Sequence, residues 1–290
     1  MQLGETLRGA IQRLSKEQVP SPRMNAELLL MFTLGCDRAY LYGHPERELT
    51  AQEGARYNDA LRQRAHGIPA QYITGHQEFW GMDFIVSPAV LIPRPETEHV
   101  VERVLELLSD WRGVLAAPQH ATTKPRLVDV GTGSGCIALA LAKELPQVEV
   151  HATDISAEAL DVARANAARL ILQEKVIFHQ ADLLSVIHGP FDVVVSNPPY
   201  VGLAEEDQVQ LEVRKFEPRT AVFAGESGLE IIERLVPQAM AVLKSGGWFV
   251  MEMSGTIAER AQKLFTGWAN VQVTSDLQGI PRVLSAQKPS

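Results

Sequence analysis

Asn197-Pro198-Pro199-Tyr200 is the stretch of this 290-residue chain best suited to chemistry. Proline fixes its own φ and holds the residue before it extended, so two in succession make the tetrapeptide stiff. The Asn197 side-chain oxygen and the Pro198 carbonyl can then point the same way and accept both hydrogens of an NH2 group. Tyr200 supplies a flat face beside them. The set suits a planar amino or amide nitrogen whose lone pair is delocalised and which must be positioned before it attacks an electrophile. The bland reading of the same four residues is a strand-ending turn. Just ahead, residues 191–196 form an apolar strand in which Val193 to Val195 is a β-branched run without alternation, the pattern of a parallel strand buried on both faces. The tetrapeptide therefore falls at a strand's C-terminal edge, where open α/β sheets place their ligands.

A second apolar strand, residues 126–130, runs directly into Gly131-Thr132-Gly133-Ser134-Gly135, and a helical run over 136–144 follows. Glycines here let a ligand approach the backbone, and the helix start presents free N–H groups. A third strand, 148–153, ends at Asp154, roughly 20 residues past the glycines, the placement expected of an acid that holds a ribose diol. The G-x-G-x-G spacing departs from the dinucleotide fingerprint. It resembles the S-adenosylmethionine-binding motif of the doubly wound methyltransferases, with Asp129 as its upstream acid. That resemblance puts Asp182, after the strand 176–180, against the adenine, and gives Leu183 a place on the ring. It also brings Asn197 to the cofactor's edge and makes S-adenosyl-L-homocysteine the product.

Composition limits the alternatives. Charged and apolar fractions are ordinary for a globular protein. No run of about 18 apolar residues occurs, and the first residues lack the pattern of a signal peptide, so a soluble, cytoplasmic protein is expected. Cys36 and Cys136 are far apart, and neither they nor the eight histidines show metal-ligand spacing, so no metal is expected. Net charge is −8, unevenly placed: residues 1–72 hold nine basic against eight acidic residues, which leaves 18 against 27 for the remainder. That acidity is a poor match for a polyanionic backbone, so no direct nucleic-acid binding is expected.

The elements that must position these residues follow from period and punctuation. Leu3, Leu7, Ile11 and Leu14 recur at helical spacing. Ser21-Pro22 reads as an N-cap followed by proline at the first helical position, and the helix stops near Gly35. Thr50 and Glu53 form a capping box. Residues 1–72 thus read as a small helical bundle for packing or partner docking, and 73–92 as a β-hairpin linker turning at Trp80-Gly81. The domain 93–290 is a doubly wound, mostly parallel α/β sheet. Its helix after Pro93-Arg94-Pro95 carries Glu96 and Glu98, acids that suit a helix start. The connection 113–125 is longer than a compact turn needs. Glu252 and Ser254 lie near a strand end and are assigned no chemistry.

Several strings together resemble one family. Residues 69–98, with Tyr72, Gly75, Phe79, Gly81 and Leu91-Ile92-Pro93-Arg94-Pro95-Glu96-Thr97-Glu98, are similar to the bacterial and organellar peptide chain release factor glutamine methyltransferases. So are 129–135, 197–200, Phe216-Glu217-Pro218-Arg219, Ala224-Gly225 and Gly228-Leu229. The resemblance spans nearly the whole chain. It implies a seven-stranded sheet closed by an antiparallel pair of strands, and methyl transfer to the side-chain amide nitrogen of the glutamine in the Gly-Gly-Gln motif of class-one release factors. It further implies catalytic and substrate roles for Asn197, Pro198, Pro199 and Tyr200, with Arg94 and Glu98 shaping the glutamine pocket, in an enzyme that acts as a monomer. The alternative is an amino-methyltransferase for adenine or cytosine in nucleic acid, which shares Asn-Pro-Pro-Tyr but needs a basic surface and a flipped base.

Overall fold

A computed structural model describes residues 1–109 and 124–290; nearly all of the long connection 113–125 lies outside the described residues. The chain divides into two compact units, Met1–His76 with Gln210–Phe216, and Gln77–Val209 with Glu217–Ser290.

The first unit is helical: Leu3–Lys16, Pro22–Leu34, Arg38–Gly43, Ala51–Ala65 and Ala70–Thr74, joined by Leu211–Phe216. Leu3, Leu7 and Leu14 are buried against Leu29, Leu30, Tyr57 and Leu61, as their period requires. The Thr50 box forms, with the Glu53 N–H donating to Thr50 Oγ1 at 3.2 Å and the Thr50 N–H to Glu53 Oε2 at 2.9 Å. Ser21 departs from expectation. It precedes Pro22, but its backbone is left-handed (φ 46°) and its side chain caps nothing. An N-cap bond needs an extended residue whose oxygen faces the following N–H groups. Asn25 instead covers that corner by donating to the Pro20 carbonyl at 2.8 Å. Arg64 is buried, and each nitrogen of its guanidinium has a partner: it donates to Asn25 Oδ1 at 2.7 Å, to the Ile68 carbonyl at 3.2 Å and to Glu212 Oε1.

The hairpin strands come next, β1 (His76–Phe79), beginning at the last residue of the Met1–His76 segment, and β2 (Met82–Ile85) in the second unit. A seven-stranded sheet follows: β3 Arg126–Val130, β4 Glu149–Asp154, β5 Val176–Gln180, β6 Phe191–Ser196, β7 Leu243–Glu252, β8 Ala269–Ser275 and β9 Pro281–Gln287. The order is β5-β4-β3-β6-β7-β9-β8, and β9 runs antiparallel to both its neighbours. The expected doubly wound sheet with an antiparallel end is therefore present.

Order and register position the site. The chain leaves β3 to one side for β4 and returns on the other side with β6, which makes the end of β3 a topological switch point. Val130 is level with Thr153 of β4 and with Ser196 of β6. Three neighbouring strands thus end together, and Gly131, Asp154 and Asn197, distant in sequence, leave the sheet side by side. Apolar layers cover both faces. Val100, Val104, Ile137 and Leu141 pack on one, and Ile232, Leu235, Val236 and Phe265 on the other. Buried Asn166 ties the hairpin to this frame: it accepts the Ile85 N–H at 2.6 Å and donates to the Ile85 and Ser134 carbonyls at 3.0 and 2.9 Å. Among the described residues no helix is long and apolar enough to cross a membrane.

Candidate active site

The glycine loop is built around the end of β4. The Gly131 and Thr132 N–H groups both donate to the Thr153 carbonyl at 2.9 Å, and Gly135 N–H donates to Thr132 O at 2.8 Å. Gly131, Gly133 and Gly135 have φ of 73°, 55° and 83°, a region costly for other residues. Their surroundings differ. A Cβ on Gly131 or Gly133 would meet nothing within 4 Å, whereas one on Gly135 would lie 3.1 Å from Leu139 and 3.3 Å from Ala163. The first two glycines keep a space open and the third lets the helices Cys136–Glu144 and Ala157–Arg169 approach.

That space is a cavity of about 310 Å³. Gly131, Thr132, Gly133 and Ser134 line it together with Asp154, Asp182, Leu183, Asn197, Pro199, Arg94 and Thr97. Asp154 spans two loops: Oδ2 accepts the Gly133 N–H and Oδ1 the Ser156 N–H, each at 2.9 Å. Burial raises its carboxyl above the usual range while those N–H groups pull it down. Asp129 is fully buried at the base of the loop. Its Oδ2 accepts the Thr132 hydroxyl at 2.6 Å, and its Oδ1 is buried with no partner at hydrogen-bond geometry. Desolvation pushes this carboxyl up to about 7, against the pull of the Thr132 hydroxyl and the Ala138 N–H. Asp182 pairs with Arg234, and both line the cavity. Leu183 and half-exposed Ile155 give it apolar sides. Sequence reasoning missed Ile155, although an apolar residue just after an acidic strand end was there to be read.

These features fit a ligand carrying a diol, a flat ring and a cationic portion. Open space stands over two glycines, an acid sits at the strand tip, and a buried carboxylate oxygen lies beneath.

Asn197 sits in a chain of hydrogen bonds. Its Nδ2 donates to Thr97 Oγ1 at 3.1 Å, the Thr97 hydroxyl donates to Glu252 Oε2 at 2.5 Å, and the Tyr200 hydroxyl donates to Glu252 Oε1 at 3.0 Å. Thr97 and Glu252 are buried. Desolvation raises the Glu252 carboxyl, and the two donated bonds oppose that rise. Burial likewise holds the Tyr200 phenol well above its ordinary value, with the adjacent Glu252 adding to it. Pro199 lines the cavity; Pro198 and Tyr200 do not, and the Tyr200 ring packs on the core layer that includes Phe249 and Met251.

Arg94 lines the cavity and bonds Glu217, whose other oxygen accepts the Ile92 N–H at 3.2 Å. Glu98 lies elsewhere: its carboxylate accepts the Trp80 N–H at 2.8 Å and fixes the hairpin turn, and it does not line the cavity. Thr97, Glu217 and Glu252 were not singled out for chemistry from sequence. Their signals were an acid closing the apolar strand β7 and an acid inside the string Phe216-Glu217-Pro218-Arg219. Among the described residues no group of three or more His, Cys, Asp or Glu is placed to hold a metal ion.

Comparison with known proteins gives this geometry a family. Residues 5–75 match the family described as PrmC N-terminal domain, and residues 114–215 the one described as methyltransferase small domain. The release factor glutamine methyltransferase of Koribacter versatilis is 55% identical over 292 residues, covering 100% of each chain. That of Chlorobaculum tepidum is 42% identical, covering 97% of this chain and 95% of its own. Among solved structures, the hMettl16 catalytic domain, in complex with a MAT2A 3′UTR hairpin, superposes with a TM-score of 0.56 at 17% identity over 80% of this chain and 83% of its own. The T. thermophilus 16S rRNA methyltransferase RsmC, solved with AdoMet and guanosine, gives 0.52 at 18% identity, over 73% of this chain and 49% of its own. At such identity these two likenesses show the fold alone. With a relative 55% identical end to end, this chain belongs to the release factor glutamine methyltransferase family.

Proposed function

We propose that this protein transfers the methyl group of S-adenosyl-L-methionine to the side-chain amide nitrogen of the glutamine in the Gly-Gly-Gln motif of class-one peptide chain release factors, leaving S-adenosyl-L-homocysteine. The observation that carries the reading is the orientation of Asn197. Its Nδ2 is tied to Thr97, and its Oδ1 makes no bond among the described residues while the residue lines the cavity. A free carbonyl oxygen on a stiff turn is an acceptor for an N–H. The names of the full-length relatives support the acceptor.

When bound, S-adenosylmethionine supplies an electrophilic methyl group on a positively charged sulfur. Asp154 would hold the ribose hydroxyls, Gly131, Thr132, Gly133, Ser134 and Gly135 the amino-acid portion, and Asp182 and Leu183 the adenine. Asp129 would place negative charge beneath the cationic part.

The remaining chemistry is positioning. An amide nitrogen is a weak nucleophile, so orientation must supply much of the rate, and well-oriented reactions gain about 7–11 kcal/mol in this way. Asn197 Oδ1 and the Pro198 carbonyl accept the two amide hydrogens. Those bonds strengthen as the nitrogen gains positive charge, where stabilisation counts most. No base is required before attack, because the proton becomes acidic once the nitrogen is alkylated. Pro199 stiffens the turn, Tyr200 backs it, and Arg94 shapes the glutamine's approach. The acidic balance of the second domain favours a protein acceptor over a nucleic acid. The helical unit is proposed as the module that docks the release factor, with the enzyme acting as a cytoplasmic monomer.

The test is methyl transfer from labelled S-adenosylmethionine to a purified class-one release factor, beside its Gln→Ala variant and duplex DNA, with the product located by peptide mass spectrometry. Label on the Gly-Gly-Gln glutamine alone is expected. Label on DNA, or on the Gln→Ala factor, contradicts the assignment.

A further inference from the structure

Glu252 lies at the end of β7, 2% exposed, and does not line the cavity. It receives hydroxyls from two sides, Thr97 at Oε2 and Tyr200 at Oε1. Both hydroxyls donate to it, the arrangement enforced by a carboxylate, which only accepts hydrogen bonds. Thr97 has one hydroxyl hydrogen. With that hydrogen committed to Glu252, Thr97 can offer Asn197 only lone pairs, and the Asn197 amide must turn its NH2 inward and its Oδ1 outward. We propose that Glu252 is a positioning residue which, through Thr97, sets the donor–acceptor polarity of Asn197 so that an oxygen, not an NH2, faces the substrate amide. This rests on the proposed methyl transfer to an amide nitrogen.

The two ends of an asparagine amide are nearly isosteric, so packing alone does not choose between them. The chemistry chooses sharply, because an inverted Asn197 would present N–H to N–H and repel the substrate. Replacing Glu252 by glutamine keeps the volume and introduces a donor. When that NH2 faces Thr97, the threonine hydroxyl becomes an acceptor there, donates to Asn197 instead, and draws Oδ1 inward. The same carboxylate holds Tyr200, two residues past Pro198, so one buried group fixes both ends of the tetrapeptide.

The experiment is steady-state kinetics of Glu252→Gln, Thr97→Val and the double variant on the release factor, with cofactor Kd by calorimetry and melting temperature for each. The wild-type enzyme must first methylate the factor; if it does not, the proposed function fails and not this inference. With wild-type transfer established, Glu252→Gln is expected to lower kcat by about 10²-fold, comparable to removing one positioned hydrogen-bonding group from a reacting centre. Cofactor Kd should change by less than about threefold, since Glu252 does not line the cavity. A folded Thr97→Val should show a similar loss, and the double variant no more than the larger single loss, because both act through one amide. A Glu252→Gln enzyme that binds cofactor and keeps wild-type kcat overturns the inference. So do losses that multiply in the double variant, which would mean two independent structural effects.

Discussion

Asp154 Oδ2 accepts the backbone N–H of Gly133 at 2.9 Å and joins the tip of β4 to the middle of the glycine loop that follows β3. The bond shapes the loop while lone pairs on the same carboxylate remain for a ligand's hydroxyls. Charge-assisted hydrogen bonds contribute about 1.5–3 kcal/mol each, so Asp154→Ala should weaken cofactor binding roughly 10- to 100-fold. Calorimetric titration with S-adenosyl-L-homocysteine checks this, and an unchanged Kd would remove Asp154 from the site.

Gly131 and Gly135 should separate function from stability. Both have positive φ, so alanine strains either backbone by about 1 kcal/mol. At Gly131 the added methyl enters open cavity, whereas at Gly135 it meets Leu139 and Ala163. Gly131→Ala should lose cofactor affinity with little further change in melting temperature, and Gly135→Ala should lose about 1–3 kcal/mol more stability from overpacking. Equal effects of the two on both readouts would contradict the division of roles.

Asp129 links stability to pH. Its carboxyl is held up to about 7 by burial, above the value of about 4 in an unfolded chain. The folded protein therefore keeps a proton that the unfolded chain releases. Its contribution is fully present below about pH 4, declines as pH rises towards 7, and stays low above that. Asp129→Asn removes the decline. In urea titrations of the cofactor-free protein, this variant should gain on the order of 1–3 kcal/mol over wild type at pH 8 and nothing near pH 4. A gain of the same size at both pH values would refute the linkage. At pH 8, where the carboxyl is ionised, cofactor affinity should fall in the same variant, because the negative charge beneath the loop is lost.

Arg94 and Glu217 form one unit with two uses. Glu217 is buried and also accepts the Ile92 N–H, so Glu217→Ala leaves that N–H and a guanidinium without their partner and should cost about 1–3 kcal/mol of stability. Arg94→Ala leaves the buried Glu217 carboxylate without its cation, which should also cost about 1–3 kcal/mol of stability, and the folded variant should show a severalfold higher KM for the release factor while cofactor Kd holds. Comparison of KM and Kd in Arg94→Ala decides whether this arginine serves the protein substrate or the cofactor.

Much of this site was legible because strand ends announce themselves. Leu127-Val128 with Val130, and Val193 to Val195, read as buried strands, and Gly131 and Asn197, which follow the ends of those strands, emerge side by side because the register makes Val130 level with Ser196. Period fixed the helix Leu3–Lys16, and punctuation fixed the turn at Trp80-Gly81. Partners reached across the fold were not legible. Thr97 and Glu252 are 155 positions apart, and in sequence an acid at a strand end looks the same whether it anchors a hydroxyl or faces solvent. Glu98 was ambiguous for a related reason: in sequence a helix-start acid serves the macrodipole, a backbone N–H or a substrate equally well. Its bond to Trp80 is a tertiary fact.

The most direct test of the Asn197 mechanism is single-turnover methyl transfer by Asn197→Ala, with cofactor and release factor both saturating. The side chain contributes an acceptor to the substrate amide and its own anchor to Thr97, so the account predicts cofactor binding close to wild type and transfer reduced by about 10²-fold or more. Full transfer activity in a variant that still binds cofactor would show that Asn197 does not orient the acceptor nitrogen, and the proposed mechanism would have to be abandoned.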